Sequence, residues 1–272
     1  MIISAIHLFP SQNTVYGVKY LIKKQRRIWP LYFISITIIF ALLSIPMLYL
    51  PDRQVNFAEY LLNIPYLNGF IGTRYVDGAH WYLTVLLSFH LVFAVITLIK
   101  KYIHKLNPYI FLCVWMLLGF ALKMFFKIGF NFVGGEYIGV AVLGVCLGIF
   151  SKDKDERKNI FLYIVSITGV LFTFFCLGKT NCIIVILAVI LCYLALNEKI
   201  PIICNKVTLS ISKVSYVFYL LHQNIMYSIL YNFTDKIGFW GSLFIALLII
   251  ILLTIFIHVF IENRLFKKLG IT

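Results

Sequence analysis

Apolar runs of membrane-spanning length alternate along this 272-residue chain with short, charged connections. Leu31 to Leu50 is 20 residues without a charge. At about 1.5 Å rise per residue such a run covers about 30 Å, one hydrocarbon thickness. Further runs are Trp81 to Ile99, Tyr109 to Phe126, Gly134 to Phe150, Ser215 to Tyr231 and Phe239 to Phe260. Ile160 to Leu196 is too long for one crossing and carries Lys179 in its middle. A charge at the bilayer centre costs about 2.5 to 3.5 kcal/mol, which two helices joined by a turn at Gly178 to Asn181 avoid. The pattern predicts an all-α, polytopic membrane helix bundle of about eight transmembrane helices, folded as one domain over residues 1–272. Between the first two runs, Pro51 to Ala79 holds a moderately apolar stretch, Phe57 to Leu67, broken by Asn63 and Pro65. It is too short to span and reads as an interfacial or re-entrant piece.

Charge orients these runs. Lys19, Lys23, Lys24, Arg26 and Arg27 stand directly before the first one with no acidic residue among them. Under the positive-inside rule that segment lies in the cytoplasm. Alternation then puts Lys100 to Lys105, the KDKDERK loop, Asn197 to Lys213 and the C-terminus on the same side. About three quarters of the 24 Lys and Arg fall there. Trp29 and Pro30 suit a helix start at the headgroup level, with an aromatic anchor and a proline whose missing N–H costs nothing in a first turn.

Composition narrows the class. With 62% hydrophobic residues, 12% charged residues and a mean hydropathy of +0.96, the chain has more apolar surface than a soluble core of this size could bury. The net charge of +14 sits in short clusters between apolar runs. Membrane topology and lipid headgroups account for it, and no nucleic-acid partner is expected. The six cysteines have no metal-type spacing, and no metal site is expected. Met1 to Pro10 has no charged n-region and does not read as a cleavable signal.

Several polar groups within or beside the apolar runs are candidates for chemistry. Ser212, Ser215, Tyr219 and His222 recur at helical spacing, which puts them on one stripe, expected to face the bundle interior. His222 and Tyr219 are the catalytic candidates, although such groups also serve as interhelical hydrogen-bond glue. His80, Trp81 and Tyr82 open the second span, on the outer side in this topology. They suit a sugar by stacking and hydrogen bonding, or else form an interfacial aromatic anchor. His90 and His258 read as packing residues. Gly135, Gly139, Gly144 and Gly148 suggest close helix contact.

Four segments, RRIWPLY at Arg26, HWYLTVLLSFHLVF at His80, SYVFYLLHQNIMY at Ser215 and FIENRLFKKL at Phe260, resemble in order the motifs of the integral-membrane acyltransferase 3 family. The resemblance implies a multi-pass enzyme of the bacterial inner or plasma membrane that moves an acyl group, commonly acetyl from acetyl-CoA. The acceptor it implies is a hydroxyl of a cell-surface polysaccharide or lipid-linked sugar. Arg26 and Arg27 then become candidates for gripping CoA phosphates, since guanidinium forks bind phosphate oxygens bidentately. Serving only as an orientation signal is the ordinary alternative. The family's catalytic His lies on a first helix that has no counterpart here, and Met1 to Ile3 resembles the last turn of its second helix. The chain is therefore expected to be N-terminally incomplete by a helix or two and to transfer acetyl poorly alone. His7 follows that remnant and is not given the role. The acidic residue many members carry after the tryptophan is absent, and Asn263-Arg264 follows Glu262 where members carry a basic-Pro pair. A non-catalytic membrane protein, such as a glycan translocator or an inactive relic, is the alternative.

Overall fold

The computed structural model describes residues 1–6, 8, 16–103, 107–152, 159–200 and 205–270. His7, Cys204 and Thr272 lie outside them. The described residues are helical with no strand. The helices are α1 (Ile2–Ile6), α2 (Gly17–Leu43), α3 (Phe57–Asn63), α4 (Asn68–Ile71), α5 (Trp81–Tyr102), α6 (Pro108–Phe125), α7 (Lys127–Phe132), α8 (Ile138–Lys152), α9 (Ile160–Leu196), α10 (Lys206–Phe256) and α11 (Asn263–Leu269). A π-helical segment, Ile257–Glu262, links the last two.

Six helices among the described residues are long and apolar enough to cross a membrane. Two of them are broken by a glycine in a conformation L-residues avoid: Gly178 in α9 (φ 82°, ψ 172°) and Gly238 in α10 (φ 75°, ψ 163°). Divided there, they supply the eight segments that the apolar pattern predicts. The Gly178 break sits beside Lys179, which moves the charge from mid-helix to a turn.

The first span differs from the expected one. Helix α2 begins at Gly17 and ends at Leu43, so Lys19 to Trp29 are helical and Pro30 lies inside the helix. A 3-10 turn, Pro46–Leu48, occupies the end of the apolar run. Hydropathy marks where lipid can lie against the chain but not where the helix starts, and Pro30 breaks only one main-chain bond of a long helix.

The chain forms two compact units. In the first, Met1–Ile22 with Val85–Asn205, glycines admit close contacts. A Cβ at Gly144 or Gly148 would lie 2.7 Å from Ile2 O or 2.6 Å from Ile6 O, so α1 rests on bare backbone of α8. Gly139 approaches Gly169 O in the same way. Gly135 instead holds a turn with positive φ. Trp115 anchors an aromatic group with Phe89 and Phe93, at ring distances of 5.8 and 5.7 Å, and donates its indole N–H to Val133 O at 2.8 Å.

In the second unit, Lys23–Thr84 with Lys206–Thr272, the connection after α2 folds back along it. Gln54 donates to Leu43 O, Tyr60 stacks on Phe40 and shares a hydrogen bond with Thr37, Tyr32 donates to Asn63 O, and Trp29 donates to Ile64 O. These contacts run from Leu43 to Trp29, about 21 Å at helical rise. The segment around α3 is thus re-entrant in form. Asn56 and Glu59 close a capping box at its start, leaving few amide groups to satisfy where the chain turns inward. Asn63, fully buried, stitches the return by donating to Glu59 O and Arg74 O and accepting from Val76 N.

Candidate active site

The returning segment ends at a 3-10 turn, Gly78–His80, capped by Asp77, whose Oδ1 accepts from Ala79 N at 2.9 Å. That turn grips one turn of α10. Asp77 Oδ2 accepts from Asn224 N at 2.9 Å, and His80 Nε2 lies 3.0 Å from Leu220 O. Leu220 O and Asn224 N are the two groups that close a single i, i+4 helical turn, so both ends are clamped from outside. Asn224 Nδ2 adds a bond to Val76 O at 2.8 Å, and the Tyr219 hydroxyl donates to Ala79 O. Asp77, His80 and Asn224 are buried. Charged and polar groups at such depth persist chiefly when hydrogen-bonded, and here segment 76–80 and helix 219–224 supply most of one another's partners, leaving Asn224 Oδ1 and His80 Nδ1 without one among the described residues.

Carbonyl partners decide the proton positions on both histidines. A carbonyl oxygen can only accept, so His80 Nε2 carries the hydrogen and neutral His80 keeps its lone pair on Nδ1. That Nδ1 is buried with no hydrogen-bond partner among the described residues. His222 Nδ1 lies 2.9 Å from Tyr219 O and carries the hydrogen for the same reason, leaving the lone pair of the neutral ring on Nε2. The His222 ring stacks on Phe218 at 5.7 Å and is half-buried, so its free nitrogen is the more accessible of the two.

Aromatic rings surround the clamp. Tyr32 stacks on Tyr66 at 4.4 Å and meets His80 edge-on at 5.1 Å. Tyr82 meets Tyr219 edge-on at 6.0 Å, and Tyr216 donates to Ile28 O at 3.0 Å. The structure therefore gathers His80, Tyr82, Tyr219 and His222. Trp81 remains exposed beside Tyr82. Arg26 and Arg27 are exposed on α2, six and five residues before Tyr32, the nearer roughly 8 Å along the axis.

Three expectations change. His80 is not a surface residue: it is 1% exposed, because α3 carries the chain back beside α2 before the second span starts. Ser212 and Ser215 do not face the interior. Both are exposed and bond to carbonyls of their own helix, Leu209 O and Ser212 O, since the stripe they share with Tyr219 extends beyond the clamped turn. His258 is more than a packing residue, with Nδ1 2.6 Å from Glu262 Oε2 across the π-helical turn. No sequence pattern singles out Asp77 or Asn224 as part of the site. Asp77-Gly78 has the form of an ordinary turn, but Asn224 within an apolar helix is a signal that an inward partner exists.

The model of the acyltransferase 3 family, described as an acyltransferase domain, matches residues 1–261. The chain belongs to this family. The comparisons with curated proteins and with solved structures find no match. As a member of the acyltransferase 3 family with six membrane-length helices among the described residues, it is a membrane protein of an acyltransferase class. Among the described residues no three His, Cys, Asp or Glu side chains gather as a metal site.

Proposed function

We propose that this acyltransferase 3 member moves acetyl from acetyl-CoA to a hydroxyl of a cell-surface polysaccharide or lipid-linked sugar in a bacterial cell membrane. The observation that carries the reading is the pinned tautomer of His222, a half-buried imidazole whose Nδ1–H is held by Tyr219 O and whose Nε2 lone pair is free. In this reading Nε2 takes the proton of the acceptor hydroxyl as its oxygen bonds to the acetyl carbon. The carbon–sulfur bond breaks, and the proton passes to the departing sulfur. Tyr219 orients the base through its carbonyl, while its hydroxyl ties the turn to Ala79. Trp81 and Tyr82 offer rings for a sugar face, with His80 holding the turn behind them. Arg26 and Arg27 supply guanidinium forks for the CoA phosphates, and no metal enters the reaction.

The test is acetyl transfer from radiolabelled acetyl-CoA to an envelope extract by the full chain in vesicles. General-base assistance is typically worth about 10²- to 10⁴-fold, so His222→Ala is expected to lose that much turnover while acetyl-CoA binding persists. Undiminished transfer by a folded His222→Ala protein refutes the assignment of the base.

A further inference from the structure

Arg53 is one of two basic residues in the connection Pro51 to Ala79, which the topology puts on the outer side, so orientation does not call for it. It closes a 3-10 turn, Pro51–Arg53, and is half-buried. Its guanidinium carbon stands 5.4 Å from the centre of the Tyr227 ring. Its Nη1 reaches over the bare Cα of Gly78, where an added Cβ would lie 2.5 Å away, and the Gln223 amide meets the same spot at 2.9 and 3.1 Å. Gly78 and Gln223 thus make room for the guanidinium at the clamp itself, next in sequence to Asp77 and His222.

What faces this cation is not an anion. Both oxygens of Asp77 accept main-chain N–H groups, Asp52 is exposed, and the described residues give Arg53 no ion pair. A ring face compensates part of the cost of drying a guanidinium but uses none of its five donors. A planar donor fork with an amide beside it matches two oxygens of a carboxylate or phosphate.

Building on the acetyl-acceptor reading above, we propose that Arg53 and Gln223 bind an anionic oxygen pair on the acceptor, so that the acceptor is an acidic sugar. The charge is the uronate carboxylate of a polysaccharide or the phosphate of a sugar phosphate. A neutral sugar would leave the fork unpaired and bind more weakly.

Calorimetric binding of glucuronate, glucose 1-phosphate and glucose to the full chain in detergent separates these cases without requiring acetyl transfer. At least one acidic sugar is expected to bind about tenfold to a hundredfold tighter than glucose, the range for one charged hydrogen-bonded contact. Which of the two does so identifies the source of the charge. Arg53→Gln is expected to erase the preference and Arg53→Lys to retain part of it, since an ammonium keeps the charge without the fork. Gly78→Ala, which displaces Nη1 and keeps the charge, is expected to weaken the acidic sugar selectively. Equal binding of all three sugars, no binding of any, or a preference that survives Arg53→Gln each overturns the proposal. Loss of transfer in His222→Ala concerns only the base.

Discussion

Asp77 carries the clamp, and replacing it by alanine has consequences that follow from two hydrogen bonds. One is the cap on the 3-10 turn through Ala79 N, a kind of contact worth about 0.5 to 2 kcal/mol. The other joins the carboxylate to Asn224 N, worth about 1.5 to 3 kcal/mol for a charged acceptor. Together they amount to about 2 to 5 kcal/mol, reduced by whatever burying the carboxylate costs. At about 2 to 4 °C per kcal/mol for a chain of this size, Asp77→Ala is expected to lower the melting temperature in detergent by roughly 4 to 20 °C. Asp77→Asn retains one acceptor oxygen but turns N–H groups toward a main-chain donor, so it should fall in the same direction. Asn224→Ala removes a further bond, to Val76 O, and combining it with Asp77→Ala measures the coupling of the two sides. A coupling of about 0.5 to 3 kcal/mol is expected for residues in one network. A melting temperature for Asp77→Ala within about 2 °C of the parent would refute the clamp as a stabilising element.

Four other substitutions test separate parts of the molecule. If Arg27 grips a phosphate of CoA, Arg27→Ala should weaken CoA binding by about 1.5 to 3 kcal/mol, and Lys19→Ala by much less; equal effects in equilibrium dialysis would leave the cluster an orientation signal. Gly148→Ala puts a Cβ 2.6 Å from Ile6 O and should cost about 1 to 3 kcal/mol in a thermal melt. Gly241→Ala, whose nearest neighbour lies 3.6 Å away, should stabilise its helix by about 1 kcal/mol, and a matching loss there would show that glycine packing is not the cause.

The apolar runs, the basic cluster before the first span and the Lys179 problem were enough to reach the helical membrane bundle and the turn at Gly178, whereas the break at Gly238 came only with the structure. Lipid imposes one requirement on every crossing, and that requirement is written locally, as run length and absence of charge. The family was legible too, because its motifs are contiguous strings of residues. The re-entrant course of α3 was legible as one of two options: Asn63 and Pro65 told that Phe57 to Leu67 does not span, and nothing local told where it turns.

The site was legible only in part. His80, Tyr82, Tyr219 and His222 stood out one by one, yet they lie 140 residues apart in two groups, and only tertiary contact joins them. The stripe that carries Tyr219 and His222 also carries Ser212 and Ser215, and helical periodicity cannot say where along a helix its partner begins. Asp77 reads locally as the start of a turn. Its work is done on Asn224 N, a main-chain group with no sequence signature at all. Sequence by itself determined which segments must leave water. Only the fold decided which backbone groups of α10 those segments hold, because hydrogen bonds to main-chain atoms depend on position and not on residue type.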